Sequence, residues 1–338
     1  MTTDKVDCMK RRIYIPAIAA LLGLAALSMG YMVFSEPTSL HSGSTEYRTM
    51  EEAGNHSILV IVPHPDDEAF GFSGTLGSAV SAGAHVRVYL LNDGEGADTA
   101  KDWIRENTAS PELATQADLN NDGIVDELDF AAARRDEFKA SMSVLGIPEE
   151  DLVFLGNAYG GAPLPSPFKV EALADFIRND ALQAGFPLDG QTRIFTVAPQ
   201  LEESDQASFY GEDYQKTIPV LHQKAAQVAT LLSEGSQNAV TPSDQDDEGQ
   251  DEAPLPEIVP AHIYFFKVYA HRNTYHEPTA PIVFTSSEKG FTLRRESIQQ
   301  YTLLGRQSAP RIYAGAESHS HEYASTLQHF IDAGIAFP

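Results

Sequence analysis

The sequence predicts an α/β protein: a Rossmann-like three-layer sandwich with a mostly parallel sheet, preceded by one N-terminal transmembrane helix. Three observations predict it. Short apolar runs at Ile58–Val62, His85–Leu91, Asp151–Leu155, Arg193–Ala198 and His262–Tyr269 alternate with stretches of helical character, as parallel strands joined by crossover helices do. Two of these runs lead into polar clusters, His64–Glu68 and His271–Glu277, and open α/β sheets bind ligands at the carboxyl ends of their strands. Ile13 to Phe34 is a run of 22 residues without a charge. At about 1.5 Å per residue it spans roughly 30 Å, the thickness of a bilayer core.

Composition sets the outer bounds. The chain has 338 residues, 42% hydrophobic and 21% charged, enough for one large α/β domain or two small ones. A formal net charge of −25 argues against nucleic acid as a partner and against a basic patch that grips anionic lipid. Cys8 is the single cysteine, so neither a disulfide framework nor a cysteine-rich zinc site can form.

In chain order, residues 1–12 end in Lys10-Arg11-Arg12, and basic residues on that side alone put the amino terminus in the cytoplasm. Residues 13–34 form the anchor, with a cleaved signal peptide as the rival reading; either exports the rest to the periplasmic or extracellular side. Residues 35–56 lack periodicity and read as a linker. The domain then runs from 57 to 338. Its first strand stops at Pro63 and Pro65, which fix an extended backbone around His64. His64 and Asp67 can chelate one divalent metal, which leaves Asp66 free as a base for water. Ala69–Gly83 reads as a helix and His85–Leu91 as the next strand, a right-handed βαβ unit. No GxGxxG fingerprint accompanies it, so a nicotinamide cofactor is not supported.

Residues 98–130 read as an insertion. Its first part, 98–117, is polar and irregular. Asp118, Asn120, Asp122, Ile124, Asp126 and Asp129 then occupy the first, third, fifth, seventh, ninth and twelfth positions of an EF-hand-type loop, with Gly123 at the sixth. This spacing predicts a structural calcium ion. Glu127–Leu145 reads as a helix closed by Gly146 and Pro148, and Phe168–Gly185 and Gln215–Leu232 as two more. Residues 233–260 carry eight acids and no Lys or Arg and read as a disordered acidic insertion. Residues 291–330 read as mainly helical. His271 could line the crevice from its far side.

Pro63-His64-Pro65-Asp66-Asp67-Glu68 after a hydrophobic strand resembles the signature of the PIG-L/LmbE-type de-N-acetylases. Asn92-Asp93-Gly94-Glu95 is similar to that family's Thr-x-Gly-Glu turn. Arg134 to Glu137, followed by Leu145-Gly146, is similar to its Arg-x-x-Glu helix. Phe154-Leu155-Gly156 opens a loop similar to Phe-Leu-Gly-x-x-Asp-Gly, with Tyr159 in place of the Asp. The resemblance implies a zinc hydrolase that removes acetyl from N-acetylglucosamine-type sugars, in a glycan or glycolipid. It makes His64 and Asp67 zinc ligands, Asp66 the base, and Glu95, Arg134 and Tyr159 candidates for substrate contact, Arg134 alternatively a buttress of the site.

The sequence then departs from the family. Thr196 to Pro199 fits the family's Thr-x-x-Pro, but laying on the following His-x-Asp-His without gaps puts Glu203 and Gln206 in the two histidine positions. Glu203 then faces the substrate and Gln206 completes the metal shell, although a Gln oxygen is a weaker zinc ligand than imidazole. A carboxylate, or a distant histidine such as His222, His271 or His276, could fill the place instead. Two functions follow: an exported metal-dependent de-N-acetylase, or an inactive member that binds glycan or serves as a scaffold.

Overall fold

The computed structural model describes residues 46–48, 56–93, 98–155, 169–199, 214–238, 261–268, 282–305 and 321–328. In chain order the elements are β1 (Glu46–Arg48), β2 (Ser57–Val62), α1 (Asp67–Gly71), α2 (Ser73–Ser81), β3 (His85–Leu90), α3 (Asp98–Asn107), α4 (Pro111–Ala117), α5 (Glu127–Val144), β4 (Leu152–Phe154), α6 (Val170–Gln183), β5 (Thr192–Val197), α7 (Tyr214–Asn238), β6 (His262–Phe266), β7 (Ile282–Thr285), α8 (Glu288–Ile298), α9 (Thr302–Gly305) and β8 (His321–Ser325).

Among the described residues the strands form one sheet in the order β1-β7-β8-β6-β5-β2-β3-β4. It is parallel from β6 through β4 and between β1 and β7; β8 runs antiparallel to both its neighbours. Residues Ile58 to Val62 of β2 are fully buried, which accounts for their unbroken apolar character. Their side chains alternate between two cores. Val60 and Val62 pack with α1, α2, α5 and α8, while Leu59 and Ile61 pack with α6 and α7. The result is a sheet covered on both faces, an α/β sandwich with a mostly parallel sheet.

Strands β3 and β4 build outward from β2 on one side, and β5 then pairs with β2 on the other. The order therefore reverses at β2. The helices that follow these strands, α1 and α2 after β2 and α7 after β5, cover opposite faces of the sheet, and open α/β sheets carry their ligand crevice at the carboxyl ends of the strands at such a switch point.

Several segments differ from the sequence reading. Glu46–Arg48 lies in the stretch read as linker, yet pairs with β7. Residues 98–117, read as irregular, form α3 and α4; Ser110 caps α4 by accepting from Leu113 N, and Pro111 occupies its first turn, a legible start signal. The acidic insertion begins later than expected, because α7 continues through Asn238; residues 239–260 lie outside the described ones. Residues 321–325, read as helical, are a buried strand. The predicted anchor at 13–34 lies outside the described residues. Among those described, no helix is long and apolar enough to cross a membrane.

The carboxyl-terminal strand is pinned to the front of the fold by charge. Buried Glu322 of β8 accepts from Gly74 N at 2.8 Å and Thr75 N at 2.6 Å, in the first turn of α2. An anion there also meets the positive end of the helix dipole. Arg294 of α8 donates to the same carboxylate and to Phe70 O, the latter at 2.9 Å. Helices α2 and α8 cross closely because Gly290 has no side chain; a Cβ there would come within 2.7 Å of Gly74 O. Glu322→Ala would remove the buried carboxylate to which Arg294, Gly74 N and Thr75 N all donate. We expect it to cost about 3–5 kcal/mol of unfolding free energy, the usual penalty for breaking a buried pair, read from urea denaturation. A loss below about 1 kcal/mol, typical of an exposed pair, would contradict this account.

Candidate metal centre

The site begins where β2 ends. Pro63 and Pro65 stop the strand, and the chain turns so sharply that Asp66 adopts φ 124° and ψ −22° before α1 starts. A positive φ of that size is foreign to a residue with a Cβ and costs on the order of 1–3 kcal/mol. The turn is held from several directions. Asp66 N donates to Glu68 Oε2 at 3.3 Å, and Phe70 N donates to Asp66 O at 3.1 Å. The Arg134 guanidinium, reaching from α5, donates to Pro65 O and lies 3.5 Å from Asp66 Oδ2.

Asp67 opens α1 and points back at the strand end. Its Oδ2 accepts from His64 N at 3.1 Å and sits 3.0 Å from His64 Nδ1. His222, fully buried on α7, brings Nε2 to 3.2 Å from the same oxygen, without the alignment of a hydrogen bond. The two imidazole rings lie 5.4 Å apart, tilted by 44°. Among the described residues, His64, Asp67 and His222 form the one group of His, Cys, Asp or Glu whose three ligand atoms lie within 4.8 Å of one another.

This donor set fits a divalent metal. Neither ring nitrogen of His222 has a hydrogen-bond partner among the described residues, and a buried imidazole left without one is costly unless a metal takes a lone pair. Two nitrogens and one carboxylate are the ligand types of catalytic zinc sites. The electrostatics agree. Burial alone would raise the Asp67 carboxyl, but His222 and His64 overcome that and hold it below the usual range. Burial pushes His64 down, opposed by Asp67. An anionic carboxylate and a neutral imidazole are the forms that bind metal.

Around the triad, the remaining buried carboxylates have partners of their own. Glu68 accepts from Ser141 Oγ at 3.0 Å and from Tyr301 OH, and Ser141 is linked to Ser297 at 2.7 Å. Burial pushes the Glu68 carboxyl up to about 7, with the Tyr301 and Ser141 hydrogen bonds opposing. Burial also raises Asp66 well above the ordinary carboxylate range, against the pull of Arg134. Glu137 bonds Arg134 Nη1 at 3.2 Å through one oxygen. Its other oxygen accepts from Thr302 N at 2.7 Å, Thr302 Oγ1 at 3.0 Å and Leu303 N at 2.8 Å.

His64, Asp66, Asp67 and Arg134 thus come together as the sequence implied. His222, held open as one of three distant histidines, lies beside His64 and Asp67. It shares a buried face of α7 with Ala225, Ala226, Ala229 and Leu232, and that spacing of three and four is the signal that could have singled it out. Of the two roles read for Arg134, its contacts describe the buttress: the side chain is 3% exposed and engaged with the protein. Gln206, Glu95, Tyr159, Glu203, His271 and His276 lie outside the described residues.

In the 118–129 loop, carboxylates face loop N–H groups. Asp118 accepts from Asp122 N at 3.1 Å and Gly123 N at 2.9 Å, and Asp122 accepts from Ile124 N at 2.8 Å. Asp126 and Asp129 form the capping box of α5, so helix capping also accounts for two of the positions read as calcium ligands.

Comparison with known proteins follows this geometry. Similar solved structures include the A40926 pseudoaglycone deacetylase Dbv21, at 13% identity and a TM-score of 0.49, covering 81% of this chain and 96% of that one. The N,N'-diacetylchitobiose deacetylase from Pyrococcus horikoshii is 15% identical with a TM-score of 0.46, covering 82% of this chain and 85% of that one. The 4-carboxy-2-hydroxymuconate hydratase GalB from Pseudomonas putida KT2440 is 16% identical, also at 0.46, covering 80% and 96%. Among curated proteins nothing matches. The model of the PIG-L family, described as GlcNAc-PI de-N-acetylase, matches residues 59–199, the stretch that holds β2 through β5 and the His64–Asp67 turn.

Proposed function

We propose that the protein is a metal-dependent de-N-acetylase that hydrolyses the N-acetyl amide of a GlcNAc-type amino sugar in a glycan or glycolipid. The observation that carries this reading is the buried His64–Asp67–His222 triad with Asp66 beside it, at the carboxyl end of β2. The family match over residues 59–199 supports the same substrate class.

In this mechanism His64, Asp67 and His222 would hold the metal, zinc by their donor chemistry. When bound, it supplies Lewis acidity that polarises the amide carbonyl and eases the loss of a proton from water. Asp66 does the proton work. It takes a proton from water as the oxygen attacks the carbonyl carbon, then delivers it to the nitrogen as the C–N bond breaks. The products are acetate and the free amine. Asp67 stays anionic between two imidazoles throughout, and Arg134 balances the charge at Asp66. The alternative, an inactive glycan-binding or scaffold member, drew its strength from the two histidines missing from the motif, and His222 beside His64 and Asp67 offers a substitute for one of them.

Two finer readings accompany this one. Residues 118–129 bind calcium as a structural clip, on the evidence of ligand spacing and of Gly123 at φ 89° in the sixth position. Residues 13–34 anchor the chain with its catalytic domain outside the cytoplasm, on the evidence of an uncharged run behind Lys10-Arg11-Arg12.

Acetate release from N-acetylglucosaminyl substrates, with metal content by elemental mass spectrometry, tests the main reading. Asp66→Asn should lower kcat by about 10²–10⁴-fold, the usual contribution of a general base, and keep the metal. His222→Ala should lose both metal and turnover. Full activity in the first variant removes the role of Asp66; full metal occupancy in the second removes His222 from the shell. For the loop, calcium should raise the thermal midpoint of the wild type and leave Asp118→Ala unmoved; no shift in the wild type ends that reading. The full-length chain should sediment with membranes and resist carbonate extraction, and its recovery in the soluble fraction would overturn the anchor.

A further inference from the structure

We infer that Arg134 is a positioning residue that clamps Asp66 in its positive-φ conformation and so aims the carboxylate at the metal site. This rests on the function proposed above. Asp66 holds φ 124° although it carries a Cβ, so something must oppose its relaxation toward the negative φ of ordinary residues.

Rotation about the Asp66 N–Cα bond moves two things relative to each other: the Pro65–Asp66 peptide plane and the Asp66 side chain. The Arg134 guanidinium grips both. Nη2 donates to Pro65 O, which fixes the peptide plane, and the same nitrogen lies 3.5 Å from Asp66 Oδ2, which fixes the side chain. Turning Asp66 to negative φ would break one of these contacts or both.

The clamp is itself immobilised. Nη1 is bonded to Glu137 Oε2 at 3.2 Å, one helical turn along α5. The other oxygen of Glu137 is tied to Thr302 and Leu303 at 2.7–3.0 Å. The guanidinium carbon sits 5.5 Å from the centroid of the Tyr301 ring, and Tyr301 OH donates to Glu68, whose Oε2 accepts from Asp66 N at 3.3 Å. The loop of contacts therefore returns to Asp66. A planar fork with fixed donor directions suits this role, and a lysine ammonium, a single point charge on a flexible stem, does not reproduce it.

Arg134→Lys is the informative variant, because it keeps the charge and removes the fork. We expect about a 100-fold fall in kcat, as for a small misplacement of a reacting group, with KM and metal content unchanged. In a crystal structure of the variant Asp66 should have left positive φ. A simple counter-charge role predicts instead that lysine restores turnover. Wild-type kcat in Arg134→Lys, or Asp66 still at positive φ, overturns the clamp. If that variant does not fold, Glu137→Gln frees one arm of the guanidinium; it should lower kcat with KM unchanged, and an unaltered kcat and Asp66 backbone would count against the clamp equally. If the wild type releases no acetate, the functional reading fails, and the Asp66 backbone in the variant structure still decides the clamp.

Discussion

Three consecutive carboxylates, Asp66, Asp67 and Glu68, are buried at 5%, 1% and 0% exposure at the end of the central strand. Charges so placed lose their hydration and repel one another, and they persist only if each finds compensation of its own. The turn sends them in three directions. Asp67 meets two imidazoles, Asp66 meets a guanidinium, and Glu68 meets two hydroxyls. The partners come from α5, α7 and the segment after α8, elements far apart in sequence. The electrostatic demand of one short turn thus bears on where two helices and the segment after a third must lie.

That demand also separates the roles of the two faces. On the α7 side the partner is an imidazole, able to give a lone pair to a cation. On the α5 side the partners are Arg134, Ser141 and Tyr301, a guanidinium with no lone pair to give and two hydroxyls already donating to Glu68. The groups able to ligate a cation gather on one side of the turn, and the Asp66 carboxylate faces the guanidinium on the other.

Much of this was legible in the chain. The central strands announced themselves by unbroken apolar runs, and the Pro-His-Pro-Asp-Asp-Glu turn by two prolines and a sudden change to charge. Arg134 and Glu137 could be paired by helical spacing alone. What was not legible depended on distance. A third donor was sought by carrying a motif forward without gaps, and His222, which the fold brings beside His64 and Asp67, lies beyond a stretch whose length only the fold can discount. Strand β8 hid because His321–Ser325 is short and polar at both ends; its burial comes from neighbours on either side, not from its own hydropathy. Glu322 would read as a surface residue until Arg294 and the first turn of α2 are seen around it. Asp126 and Asp129 show the opposite difficulty, since one pattern of acids serves both a metal loop and a helix cap.

The placement of β8 has a consequence for how the chain is made. Strand β8 lies between β7 and β6 and is the bridge by which β1 and β7 join the rest of the sheet. A ribosome delivers β6 well before β8, so during synthesis the outer edge of β6 offers unpaired backbone groups while the chain from residue 269 to 320 is added. An open edge of aromatic residues is a template for pairing with other chains, and pairings between segments so distant in sequence form slowly. The nascent chain therefore passes through a window of vulnerability that closes when β8 slots between β6 and β7 in the interior of the sheet.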